Sequence, residues 1–440
     1  MSHLEQALDN AQQQQTPMPF VQTPSMGELL QEADTMYSRV SASNDLVSKI
    51  ENVTEHLENI NAEIVQEGAL SDLSRKMISK THRLLTGVDV MMDRMVALES
   101  ADADPGFKDD VVQEIQNNTL NEFLAALKEK FYDSWGDTKS WYGKIVSIRS
   151  TIVKKNADTI ERAAKVTGDP KTLEFTFKEN LDIDSNGRVS FQELLSGVEA
   201  MLGYTEKRLN AKVDKNFEDF IVGCQRVVDG YKSKGEADYT ELLKYKDLYS
   251  PPPEVLTSEL EDKTVKAQLT DSDSAKLIQT RRFPGATYVV ISAPGTEQKA
   301  TPVSFIEDTW VKLYTEKSAA EKDSIKVRTF YPNQIVHLAT ELSKGLDSLG
   351  YFDKSWERRD KFMTKVFASL DKTITLVGEK LTDSSKDTKT DEELRAITRI
   401  MIKAIQLDNT FNSMLINHVI KITAQCVDLN NACLLQYSSE

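Results

Sequence analysis

Apolar residues recur along this chain mostly at the three-and-four spacing of a helix and seldom at the alternation of a strand. Leu46, Ile50, Val53, Leu57, Ile60 and Ile64 alternate steps of four and three, as a coiled-coil seam does, and Gly68 ends the run. A second stretch follows through Leu84, Leu85, Val88, Met91, Met92, Met95 and Leu98. The two together predict an antiparallel helical hairpin over 26–99, with the methionines as core filler. Further on, Leu120, Phe123, Leu124, Leu127, Phe131 and Trp135 share one helical face. Gly136-Asp137 is expected to interrupt that helix before Trp141, Tyr142, Ile145, Ile148, Ile152 and Val153 resume it. Another helix is expected from about Thr205 to Lys232. A last long one opens on the capping box Thr390-Asp-Glu-Glu393 and carries Leu394, Ile397, Met401, Ile405, Phe411, Leu415, Val419 and Ile422.

Strand character is confined to one region. Ala286 to Ala293 is rich in Val, Ile and Tyr, Pro294-Gly295 turns, and Pro302 to Ile306 returns; Ile325, Val327 and Phe330 predict a third strand. The expected fold is therefore mainly α: helical bundles with a coiled-coil-like N-terminal hairpin, one EF-hand-like helix-loop-helix and a small antiparallel β-sheet. Composition shifts divide the chain. Residues 1–25 are Gln- and Pro-rich and read as disordered. Ser100 to Gly106 reads as an exposed acidic linker, and Tyr249-Ser-Pro-Pro-Pro253 as a second boundary. The expected units are thus 1–25, the hairpin 26–99, a helical body 100–250 and an α+β part 254–440 that is mostly helical.

The candidate chemistry lies in Asp182-Ile-Asp184-Ser-Asn186-Gly187-Arg188-Val189-Ser190-Phe-Gln-Glu193. It reads position for position as an EF-hand calcium loop. Asp182, Asp184, Asn186 and Ser190 supply side-chain oxygens at positions 1, 3, 5 and 9, and Arg188 stands at position 7, where the backbone carbonyl ligates. Gly187 sits at the sharp turn, and Glu193 at position 12 grips the ion with both carboxylate oxygens. A hard dication needs about six such oxygens converging on one point. The same residues also read as a plain helix-turn-helix, with Asp182 and Asp184 capping and Asn186-Gly187 turning. Both readings stand on the sequence. EF-hands usually pair, and no second loop occurs in the 440 residues.

Charge narrows the partners. The net charge is −15, which disfavours sequence-independent binding to a phosphate backbone. It is uneven: residues 1–99 hold 7 Lys+Arg against 15 Asp+Glu, a net −8. Lys144, Arg149, Lys154, Lys155, Arg162 and Lys165 make one basic side, read first as the solvated face of a core helix and second as a surface for membrane or nucleic acid. No signal peptide and no membrane span are expected. Cys224, Cys426 and Cys433 form no disulfide framework; Cys426 and Cys433 read as core thiols of a reducing compartment. No phosphate-cradling glycine loop, Gly-x-Ser-x-Gly elbow or His-Glu-x-x-His occurs, and His3, His56, His82, His337 and His418 are scattered. The chain is read as a non-enzyme with no cofactor beyond calcium.

The order of parts carries a resemblance. An acidic helical segment ends in Ala97-Leu98-Glu99/Ser100, a Trp-containing amphipathic helix with Lys/Arg-rich turns follows, and then Asn186-Gly-Arg-Val-Ser-Phe-Gln-Glu-Leu194. This layout, over roughly 80–210, resembles the internal head (inner-body) and other virion structural proteins of giant tailed bacteriophages. The resemblance implies a virion structural protein, internal to the head or associated with the capsid, made in the bacterial host cytoplasm. It implies capsid, scaffold or inner-body proteins as partners, and proximity to packaged DNA without sequence-specific binding. It also implies a prohead protease that cuts after a glutamate two residues beyond a small one. Glu99 fits that rule, with Ser100 as the new N-terminus; Gly197-Val-Glu199, Ala339-Thr-Glu341 and Ser355-Trp-Glu357 fit it too, but in expected helix. The alternative is a bacterial EF-hand-type calcium-binding scaffold or adaptor.

Overall fold

A computed structural model describes residues 27–44, 120–183, 186–234, 242, 257–269, 276–293, 311–316, 324–382 and 388–437. The seam at 46–64, the stretch at 84–98, the linker at 100–106, the return strand at 302–306 and residues 1–25 lie outside them. Three long helices set the architecture. They are α2 (Leu120–Lys165), α6 (Pro332–Thr382) and α7 (Thr388–Leu434), each ~70 Å long at the rise of an α-helix. They pack side by side, α6 most extensively against α2, and α7 against both. A shorter helix α1 (27–44) lies along α2 and α7, and α3 (Phe191–Arg208) and α4 (Ala211–Lys234) brace the spine from the side.

Helical spacing in the sequence explains the burial. On α2, Trp141, Ile145, Ile148, Ile152, Asn156, Thr159 and Ala163 step by three and four and are all buried. Gly136 does not interrupt the helix. A glycine in a helix interior costs only about 1 kcal/mol relative to alanine, and burial of Trp135 and Trp141 on either side outweighs it. The expected helix from about 205 to 232 is two: α3 ends at Arg208, Leu209 and Asn210 bend, and α4 starts at Ala211. The Asn210 Oδ1 accepts from the Val213 amide, so Asn210 caps the new helix. The last helix starts at Thr388, two residues before the expected cap at Thr390.

Among the described residues there are two sheets where one was expected. β3 (Thr257–Glu259), β4 (Lys276–Thr280), β5 (Thr287–Ala293) and β6 (Val311–Thr315) form a fully antiparallel four-stranded sheet in chain order, with α5 (Lys263–Leu269) between β3 and β4. The strand expected at 325–330, β7 (Ile325–Arg328), leaves that sheet. It inserts between β1 (Glu174–Phe177), antiparallel, and β2 (Arg188–Val189), parallel. One buried cluster draws on residues from Leu29 to Leu434.

Candidate functional site

The turn expected to hold calcium is built as strand, loop and helix. The segment before it is β1, with Phe175 and Phe177 on alternate positions, so the expected entering helix of an EF-hand is replaced by a strand. The chain then passes Leu181 and Asp182, both fully buried. Asp182 acts inward: its Oδ2 accepts from the Gly187 amide, and its carbonyl accepts from the Ala286 amide at 2.7 Å. Gly187 has φ +79°, a left-handed conformation that glycine adopts without a Cβ clash. Asn186 Oδ1 accepts from the Arg188 amide at 2.8 Å, closing an Asx turn. Arg188 then enters β2, opposite Lys326 of β7.

The last two expected ligands do a second job. Ser190 caps α3 and Glu193 is its third helical residue. Glu193 Oε2 accepts from the Ser190 amide at 3.1 Å and from its hydroxyl at 2.7 Å, while Ser190 Oγ accepts from the Glu193 amide. This is a reciprocal capping box, and Ser-x-x-Glu before an apolar run is its sequence signature; the signal stood in the sequence beside the ligand reading. Asn186, Arg188, Ser190 and Glu193 are exposed at the surface, while Asp182 is not. Asp184 lies outside the described residues, as do Glu99 and Ser100. Among the described residues no group of three or more His, Cys, Asp or Glu side chains is close enough together to hold a metal.

His418 and the cysteines are turned inward. His418 on α7 is 2.9 Å through Nε2 from the Thr287 hydroxyl of β5. Burial, and next the positive charge of Lys421, pushes its pKa down to about 4. His337 lies beside the Phe191 ring. Cys224, Cys426 and Cys433 are buried free thiols, and burial pushes each well above an ordinary thiol, Cys433 to about 12. They are core thiols, as the sequence suggested for two of them. A cleft of about 350 Å³ on the four-stranded sheet is lined by Glu259, Glu261, Asp262, Tyr288 and an Arg282–Glu316 ion pair at 2.5 Å. It contains no histidine or cysteine.

The basic side of α2 is largely engaged within the fold. Lys144 pairs with Glu32 of α1 at 2.6 Å, Lys165 with Glu161 at 2.6 Å, and Arg162 donates to Asn431 of α7 at 3.0 Å. A buried charge cluster was missed by sequence reasoning. Asp408 of α7 takes Arg208 from the end of α3 at 2.8 Å and Arg359 from α6, and Arg359 also reaches Asp214 at the start of α4 at 3.2 Å. It joins four helices through residues up to 200 apart in the chain, and no local pattern announces it.

No helix among the described residues is long and apolar enough to cross a membrane. A family model for phiKZ-like phage internal head proteins matches residues 26–434. The chain belongs to that family, which places it in the virion head in a structural role. No curated protein and no solved structure matches it.

Proposed function

We propose, on the premise that the chain is an internal head protein of a phiKZ-like phage, that it is a non-catalytic building block of the protein body inside the head, made as a precursor and cut after Glu99. The match over nearly the whole described chain carries the structural part. The three-helix spine, the inward-turned His418 and the thiols held protonated by burial are in keeping with a body that packs rather than reacts. Ala97-Leu98-Glu99 supplies the cutting motif, and the net −8 of residues 1–99 supplies a reason to cut: the remaining body is closer to neutral and sits more easily beside DNA phosphates. The partners are other head proteins, the prohead protease and, by proximity alone, packaged DNA. Intact-mass analysis and N-terminal sequencing of protein from mature particles test the processing. A chain starting at Ser100 is expected; a chain starting at Met1 or Ser2 would refute it.

A second reading concerns the 182–193 turn. The left-handed Gly187, the Asp182 carboxylate folded back on it and the Asx turn at Asn186 are the features of a loop that can close around a dication. We propose weak calcium binding there, with Asp182, Asp184, Asn186, Ser190 and Glu193 as side-chain ligands and Arg188 through its carbonyl. Glu193→Gln separates metal from cap, because glutamine keeps the capping box but loses the bidentate carboxylate. Calorimetry is expected to show calcium heat for the parent and none for Glu193→Gln. Absence of heat from the parent would leave the turn as a helix cap alone.

A further inference from the structure

We propose that the cleft on the four-stranded sheet binds an alkyl polyamine, an elongated organic cation. The cleft holds about 350 Å³, within the range of small-ligand sites, about 300–1,000 Å³. The carboxylates of Glu259, Glu261, Asp262 and Glu316 line it, against one guanidinium, that of Arg282. Arg282 is committed to Glu316 at 2.5 Å, and Asp262 caps α5, its Oδ1 accepting from the Val265 amide at 3.2 Å. Glu259 and Glu261 are exposed and have no ion-pair partner among the described residues. Tyr288 is an independent sign of a ligand. It lines the cleft and is only 4% exposed, yet its hydroxyl has no hydrogen-bond partner among the described residues. A buried hydroxyl without a partner is costly, and a donor bound in the cleft supplies one. Burial, and next the negative charge of Glu316, pushes the Tyr288 pKa up, so the group offered to the ligand is a neutral hydroxyl.

The distribution of charge selects among cations. A divalent metal needs about six oxygens converging on one point, and among the described residues no three His, Cys, Asp or Glu side chains are close enough together to hold one. The acids approach instead from opposite edges of the sheet. Glu259 stands on β3, Glu316 follows β6, and those strands are three strand spacings apart, ~14 Å. Ammonium groups spaced along an aliphatic stem meet that spread, donating to the carboxylates and to the Tyr288 hydroxyl oxygen. The stem lies against Leu260 and the Tyr288 ring, whose face also attracts a cation. DNA phosphates gather such polycations as counterions. A chain of net −15 can then lie against DNA through a polyamine shared between the cleft and the phosphates. That supply of ligand rests on the internal-head reading; binding in the cleft does not.

Calorimetry of the full-length chain with spermidine at physiological ionic strength tests the site. Charges more than ~8 Å apart are then largely screened, so general attraction to an acidic surface contributes little. A saturable isotherm with one spermidine per chain is expected. Glu259→Gln/Glu261→Gln changes two exposed, unpaired acids, so it should keep the melting curve and weaken binding by about tenfold or more. Asp133→Asn/Asp158→Asn removes the same charge from exposed positions of α2 and should leave the affinity unchanged. Tyr288→Phe deletes a hydroxyl that no residue uses, and should weaken spermidine by about threefold or more without lowering stability. Butylamine, which carries one ammonium as a lysine side chain does, should bind far more weakly than spermidine. Butylamine binding as tightly would make the cleft a seat for a partner's lysine and overturn the proposal. Displacement of spermidine by an equal concentration of magnesium would overturn it as well. So would the absence of a saturable isotherm, full affinity in either cleft variant, or equal weakening by the α2 pair. The internal-head reading survives each of these outcomes, since none of them concerns the particle.

Discussion

Asp408 is the residue whose loss the fold should feel most. Its carboxylate is held by two buried guanidiniums, Arg208 and Arg359, and Arg208 also lies 5.7 Å over the ring of Phe411. Asp408→Ala leaves both cations buried without their shared partner. The expected cost is about 3–5 kcal/mol, read as a lower denaturation midpoint with an unchanged slope. His418 makes a prediction in pH. Its folded pKa of about 4 lies below the unfolded value of about 6.5, so the fold favours the neutral ring. The stability it contributes is complete well above pH ~6.5 and drains away as pH falls from there towards ~4, by about 3 kcal/mol. Glu179 and Asp428, pushed up mainly by burial, act in the opposite sense. The His418 part is therefore the difference between the parent and His418→Gln, which is expected to lose less stability between pH 7 and pH 5. Equal losses would show that the ring does not titrate as described.

Two glycines behave oppositely at the scale of whole helices. Gly136 lies in mid-α2 with nothing within 4 Å of where a Cβ would stand. Gly136→Ala should therefore raise stability by about 1 kcal/mol through helix propensity alone. Gly345 on α6 is buried against α3, and a Cβ there would stand 2.4 Å from a Leu202 methyl. Gly345→Ala should lower stability despite the same gain in propensity, by about 1 kcal/mol or more, because the two helices or the Leu202 side chain must shift. Parallel melting curves of the two variants are the check; equal signs would contradict the close approach of α3 and α6.

For the whole molecule the governing quantity is the unequal charge. Residues 1–99 carry a net −8 of the total −15, while Lys144, Lys165 and Arg162 of α2 meet Glu32, Glu161 and Asn431. Protein cut after Glu99 and freed of the 1–99 piece should adsorb to DNA at low salt better than the full chain, and the difference should vanish near physiological salt. Equal retention at low salt would leave electrostatics with no part in processing. Cutting has a mechanical side too, since α1 would then be held to α2 and α7 by non-covalent contacts alone.

Periodicity alone determined the class of this protein. The three-and-four spacing on α2 and α7 and the Val/Ile run of β5 named those elements correctly, because burial of one face leaves its period in the sequence. The glycine turn at 186–187 was also local, and so legible. The capping box was equally local, but the caps were expected at Asp182 and Asp184, and the structure sets the cap at Ser190 with Glu193. What lay beyond reach was long-range. Phe175 and Phe177 fit either a helix entering the loop or a strand, and only pairing with β7, about 150 residues on, made them a strand. Gln406, Asn409, Asn412 and Asn430 are polar, yet all are buried, because α7 is enclosed by neighbours on several sides rather than lying on one surface. A sequence records which face of an element is apolar; which elements surround it is decided by contacts between distant residues, and those leave no local period to read.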